Sequence, residues 1–534
     1  MEKVKGEKLF FFKISILLSL FFIFTMAWKE SPFAETRPPA VKTQPKPEIR
    51  QKLIIAQEKD ASTIDAHYVG DSASASIMEH MVEPLLELTP KGEIVPRLLE
   101  KWEVSPDATE FTLKLKKGIR FHDGQPFNAE AVKVNFDRRL DPKAATQYGS
   151  LVAPIASVTV VDEYTVKIKT KMPYAAMLAN LTHQANGMQS PVALKRSWDK
   201  PLIMPIGTGP FIFKEWVPGN RLVMVRNDNY WGMKPTLSEV TFRVIPDAIS
   251  RVVALEKGEV HVAVQIPASD IPRLKGNPKI KIIHTPSVRT IYMGFNCLKE
   301  PFTDKRIRQA LNYAVNKEAI VGPVLGGAGR VSDAPISPGI FGYEPIRTYE
   351  YNVEKAKALL AEAGFPQGFE TTLHSAVGRY YKDVSVAAAV AADLLKVGVK
   401  AEIKMMDWDT YIPFIFRDKE VAEHKLYVLG WNTVTGDADY GLHTLFYSGE
   451  WPREGMNASF FKNEKLDQLL EAARSTANPK ERKKLYKEAM TLIVEDAPWI
   501  FLYTEIQITG VGVNVKDIIV HPTERVIAKQ AKVE

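Results

Sequence analysis

The chain has 534 residues, 45% hydrophobic and 25% charged, a composition that supports a large folded core and, by length, about three domains. The formal charge is +7, but Lys and Arg are scattered among Asp and Glu with no block of one sign, which argues against a nucleic-acid footprint. One cysteine, Cys297, excludes an intrachain disulfide and a Cys-rich metal site, and its apolar setting in "TIYMGFNCL" reads as an inert buried thiol.

At the N-terminus Lys3, Lys5, Lys8 and Lys13 precede the apolar run 14–28, the pattern of a secretory signal. Cleavage after Ala27 or Ala34 is expected, with an uncleaved membrane anchor as the rival reading, since the whole run approaches the roughly 20 residues of a span. Residues 35–50, rich in Pro and charge, read as an extended linker. The bulk is therefore expected outside the cytoplasm, in the periplasm.

Residues 53–56 read as a short buried strand. In 111–117, Phe111, Leu113 and Leu115 alternate with Thr112, Lys114 and Lys116, a half-buried strand. Residues 157–170 and 211–227 read as hairpins, turning near Asp162-Glu163 and at Pro218-Gly219-Asn220. Helices dominate later. In 303–320, Ile307, Ala310, Leu311, Ala314 and Val315 form one stripe, with Thr303 as expected N-cap. Asn352 and Asn478 are expected to cap two more helices, and a third, starting near Asp383, closes at Gly398 before an alternating strand. Helix-then-strand units imply an α/β fold.

Enzyme signatures fail: there is no G-x-S-x-G elbow, P-loop or H-E-x-x-H. The ten histidines do not cluster at metal-ligand spacing, and His122-Asp123-Gly124 reads as a turn. The richest stretch is "LGWNTVTGDADYGLHTLF" (429–446). As a calcium loop it fails, because Gly441 takes the third ligand position and Ser448 the last. As a glycosidase pair, Asp437 and Asp439 stand too close in one loop to flank a bond. Two readings remain for the acids. Asp439 caps a helix, or the acids face a ligand, with Trp431 as an apolar pocket wall whose indole N–H is a free donor.

Four blocks carry a resemblance. They are "EPLLELTPKGEIVPRLLEKWEVSPDATEFTLKLKKGIRFHDGQPFNAEAVKVNFDR" (83–138), "PIGTGPFIFKEW" (205–216), "PFTDKRIRQALNYAVNKEAI" (301–320) and "GWNTVTGDADYGLHTLFYS" (430–448). In this order they resemble the extracellular solute-binding proteins of family 5, the peptide-, glutathione- and nickel-binding components of ABC importers. The resemblance implies an α/β periplasmic-binding-protein-like fold of class II, or cluster C: two lobes, a hinge, and an extra domain on one lobe. The implied boundaries are 51–82, 204–286 and 501–534 for lobe I, 83–203 for the extra domain and 287–500 for lobe II. The implied role is non-enzymatic and needs no cofactor or metal ion. A monomer closes over a short peptide or glutathione-like solute and delivers it to a membrane permease. A nickel or haem chelate is the alternative cargo, and a secreted hydrolase using Asp437 and Asp439 the alternative class.

Carried over residue by residue, the resemblance makes Arg379 the partner of a ligand carboxylate and places Tyr68, Arg289 and Tyr292 near the cleft. Dipeptide binders hold the ligand amine with an aspartate three residues beyond the loop Trp. Here that position is Val434, and Asp437 and Asp439 are the nearest acids. The "GW-x-x-x-TG-acid-AD" phrase is similar to the glutathione-binding branch.

Overall fold

Alternation along the chain decides the first strands. Phe111, Leu113 and Leu115 are buried on one face of the strand Glu110–Leu115, as their period of two requires. The computed structural model describes residues 51–534; the expected signal and linker lie outside the described residues. The strands Ile155–Asp162 and Thr165–Thr170 form the first expected hairpin, and Phe211–Val217 and Arg221–Arg226 the second. The first hairpin joins Leu99–Val104 and Glu110–Leu115 in a four-stranded sheet. The helix Ala129–Leu140 packs on it, around a core that includes Phe111, Phe127 and Phe136.

The largest sheet among the described residues has 11 strands and unites the two lobes. At one end, Gln51–Gln57 runs parallel to Leu237–Val244, beside the second hairpin. At the other end Glu370–Ala376 lies parallel to both Lys400–Met406 and Leu426–Asn432. Two long antiparallel strands, Ile280–Phe295 and Trp499–Gly512, connect these ends. Near Gly510 and Val511 the second strand pairs with Val262–Ala263, on the first lobe. From Arg289 to Phe295 the first strand pairs with Leu426–Asn432, on the second. Regular register between the two strands breaks between Pro286 and Thr290 and again between Ile291 and Tyr292.

The second lobe is packed on both faces of the sheet, and side-chain parity assigns each residue to a face. Ile291, Met293 and Phe295 enter one core with Leu426 and Val428. Tyr292, Tyr427, Leu429 and Trp499 enter the other. Burying each such side chain contributes about 1.5–3 kcal/mol.

Helix caps follow local chemistry. Asn352 accepts from Lys355 N–H and Asn478 from Lys480 N–H, as expected. The 303–320 segment departs from expectation at its start. Asp304, not Thr303, caps the helix Lys305–Ala314, because the Thr303 hydroxyl donates to Glu300 instead. No helix among the described residues is long and apolar enough to cross a membrane.

Candidate ligand-binding site

A cavity of about 1390 Å³ lies along the hinge between the lobes. It exceeds the roughly 300–1,000 Å³ typical of small-molecule sites, so a peptide-sized ligand fits with water. Its floor comes from the connecting strands, with Arg289, Glu505 and Gln507. One wall carries Gly70, Asp71, Tyr148 and Tyr174; the opposite wall carries Arg379, Trp408, Trp431 and Tyr440.

The strand Leu426–Asn432 delivers Trp431 to the cavity wall, and Gly436, at φ +70, turns the chain into the helix Ala438–Phe446. A Cβ at Gly436 would stand 2.7 Å from Leu88, so both shape and backbone angle favour glycine. The Trp431 indole N–H donates to the Tyr440 carbonyl at 3.0 Å, and the two rings pack with centroids 5.2 Å apart. Trp431 lines the cavity, but its N–H is used within the loop.

The two loop acids part company. Asp437, not Asp439, is the N-cap, accepting from Asp439 N–H at 3.0 Å. The Asp437 carboxylate is buried and receives both Nη atoms of Arg482, at 2.8 and 2.9 Å. It borders a second cavity of about 540 Å³ and not the main one. The expected role of Asp437 as a cation partner in the cleft is corrected on this point: Arg482 already occupies it. Asp439 does line the main cavity. Its carboxylate accepts from Arg474 Nε at 2.7 Å and from the Tyr174 hydroxyl at 3.0 Å. Burial pushes its carboxyl up, but Arg474 and the other cations overcome this and hold it below its ordinary value. Each acid is thus held by an arginine of the fold. Tyr174 belongs to the opposite wall, and Ala175 N–H also donates to the Arg474 carbonyl at 2.8 Å. Asp439 thus ties wall to wall. Val434, where dipeptide binders carry their anchor, lines the cavity with an apolar side chain.

Arg379 stands on the wall just beyond the strand Glu370–Ala376. Its guanidinium lies 4.7 Å from the Trp408 ring centroid and 5.3 Å from that of Tyr380. Its Nε has no hydrogen-bond partner among the described residues, nor does any acid there pair with its guanidinium. Its own N–H is anchored on Asp383 at 2.8 Å, which fixes the start of the side chain.

Arg289 also reaches the cavity, where it is shared by two glutamates. It donates Nε to Glu524 at 2.8 Å and its Nη2 to the same carboxylate, while Glu505 approaches Nε at 3.1 Å. Tyr292 is placed otherwise than expected. Three positions from Arg289 along one strand, it has the opposite parity, points into the core and stacks on Trp499 at 3.4 Å between centroids. Tyr68 is also absent from the cavity lining, although Val69 and Gly70 reach it. Its hydroxyl donates to the Ala144 carbonyl, and Arg138 sits over its ring.

Glu505 and Glu524 are cavity residues that reading the sequence missed. One signal was available for Glu505: it is an acid inside the strongly apolar run "WIFLYTEIQITGVG". Among the described residues no group of three or more His, Cys, Asp or Glu could hold a metal ion. Burial pushes the Cys297 thiol up to about 11, which suits an inert packing residue.

A hinged pair of lobes around a polar and aromatic cavity defines a ligand-binding protein. The chain belongs to the bacterial extracellular solute-binding proteins of family 5, whose pattern matches residues 93–453. It is 34% identical over 456 residues to the glutathione-binding protein GsiB of Pectobacterium atrosepticum, covering 85% of this chain and 88% of the relative. The GsiB of Escherichia coli K12 is 32% identical, with 85% and 89% covered. Among solved structures, HbpA2 from Haemophilus parasuis matches with a TM-score of 0.81 at 28% identity, covering 91% of this chain and all of that one. The ABC transporter-associated periplasmic binding protein DppA from Helicobacter pylori, in complex with the peptide STSA, matches at 0.75 with 28% identity, covering 89% and 98%.

Proposed function

We propose that this protein is the extracytoplasmic binding component of an ABC importer, exported by its N-terminal segment, and that it closes as a monomer over a short peptide or glutathione-like solute for delivery to a membrane permease. The names of its relatives support the class of cargo: glutathione for the curated relatives and a peptide for a solved one. The observation that carries the reading is Arg379, a guanidinium held on aromatic rings at the cavity wall without an acid to pair it among the described residues. A carboxylate is the group that such a planar donor fork recognises best. Closure follows from the hinge: a ligand that touches both walls only in the closed state shifts the population toward it. We take the break at Pro286–Thr290 as the lobe boundary on the first connecting strand.

Calorimetric titration with reduced glutathione and with di- and tripeptides tests the reading. Saturable binding without turnover is expected, and Arg379→Ala lowers affinity about 10- to 100-fold, the worth of a charge-assisted hydrogen bond. If every probe fails to bind, and native mass spectrometry of gently purified protein finds no retained solute, the reading fails. Unchanged affinity in Arg379→Ala sinks the assigned anchor.

A further inference from the structure

Glu505 and Glu524 face each other across one arginine at the hinge. Glu524 accepts from Nε and Nη2 of Arg289 and also from Ser287 Oγ at 3.0 Å and Ser72 Oγ at 3.2 Å. Among the described residues the Glu505 carboxylate has only the 3.1 Å approach to Arg289 Nε, and it lines the cavity. One cation thus serves two carboxylates, and the less satisfied of them borders the ligand space. Arg379 is near enough for its charge to be felt at Glu505, but the two form no ion pair. An acid and a base left apart on one cavity are complementary to a zwitterion.

We propose that Glu505, backed by Glu524, is a cation-receiving subsite at the hinge that takes the ammonium group of a zwitterionic ligand. This rests on the function proposed above and gives the ligand amine a partner, since the position of the usual anchor is Val434. The subsite stands on the connecting strand itself, so an ammonium there completes a charge cluster drawn from both hinge strands and the C-terminal segment.

Burial pushes the Glu505 carboxyl up to about 7; Arg289 pulls against this and Glu524 adds to it. Glu524 itself is raised by burial, but Arg289 and the two serines hold it below its ordinary value. The other charged or titratable groups around the cluster are Arg379, Tyr380 and Tyr503, with Asp71 and Tyr148 across the cavity. The sign follows. Below pH 7 the free protein holds a proton on Glu505, and an arriving ammonium must displace it. Affinity therefore rises from pH 5.5 to 7.5, with a limiting slope of about tenfold per unit on the acid side.

The test titrates wild type and Glu505→Gln with reduced glutathione and with N-acetylglutathione, which lacks the ammonium, at pH 5.5, 6.5 and 7.5. The expected result is that acetylation weakens wild-type binding at least tenfold. Glu505→Gln should lose about 10- to 100-fold toward glutathione, together with the pH slope and the discrimination. The ligand-free variant should melt no lower than wild type at pH 7.5, because a neutral amide replaces a costly buried charge. Equal binding of the two probes, or wild-type affinity and slope in Glu505→Gln, overturns the subsite. Arg379→Ala separates the two readings: loss there with no effect in Glu505→Gln leaves the function standing and removes the subsite. If neither probe binds, native mass spectrometry decides. A retained solute with a cationic nitrogen, lost in Glu505→Gln, supports the proposal; one without overturns it. An empty protein overturns both readings.

Discussion

Two charged regions border the space between the lobes, and they differ in what the protein leaves over. In the loop after the strand Leu426–Asn432, each acid is held by an arginine: Asp437 by Arg482 and Asp439 by Arg474. At the hinge, Arg289 is divided between Glu505 and Glu524, and Arg379 pairs with no acid among the described residues. The first region has the denser motif, and the second has the unfinished chemistry. Charges fully satisfied within the fold contribute to its geometry. Those left partly satisfied beside a cavity are the ones a ligand can complete.

The largest expected effect breaks the first region. Arg482→Ala leaves Asp437 buried, unpaired and still capping a helix, a loss of about 3–5 kcal/mol. Urea unfolding should show this as a lower midpoint, while protein that remains folded keeps its ligand affinity. A selective loss of affinity without a stability change would place Asp437 in the ligand site after all. A smaller effect sharpens the comparison. Tyr174→Phe removes only the hydroxyl that crosses the cavity to Asp439, at 3.0 Å. That bond is worth about 0.5–1.5 kcal/mol and belongs to the joined walls. Stopped-flow kinetics should show ligand dissociating about 2- to 10-fold faster with little change in association, as expected when only the closed state is weakened. An equal slowing of association would argue that Tyr174 contacts the ligand directly.

Local features were legible in the sequence. Asn352 and Asn478 cap their helices, and both hairpins turn where the turn residues stand. These depend on neighbours a few positions apart. The fates of the acids were not legible, because their partners are remote: Arg482 is 45 residues from Asp437, and Glu524 is 235 from Arg289. No local pattern distinguishes an aspartate that will meet an arginine from one that will face a ligand. Tyr292 is a different case. Its parity relative to Arg289 already forbids both from facing one cavity on a regular strand, so that misplacement was avoidable. Glu505 lay between these cases. Its apolar surroundings marked it as unusual, but only the fold shows that the strand carrying it runs between the two ends of the large sheet.

The smallest expected effect concerns Tyr68, which flanks the cavity in sequence but not in space. Val69 and Gly70 line the cavity, whereas the Tyr68 hydroxyl donates to the Ala144 carbonyl and its ring supports Arg138. Arg138 is itself fully buried against Asp65, so the ring packs on a buried ion pair. Tyr68→Phe keeps the ring and removes only the hydroxyl. Because the side chain is partly exposed, water can replace part of the lost bond, and the cost should be about 0.5 kcal/mol. Thermal unfolding should therefore shift slightly downward, and calorimetric affinity for glutathione should be unchanged within error. A tenfold loss of affinity at constant stability would mean that the tyrosine turns into the cavity when ligand is bound. That result would move one wall of the site and extend the ligand's reach beyond the hinge cluster toward the extra domain.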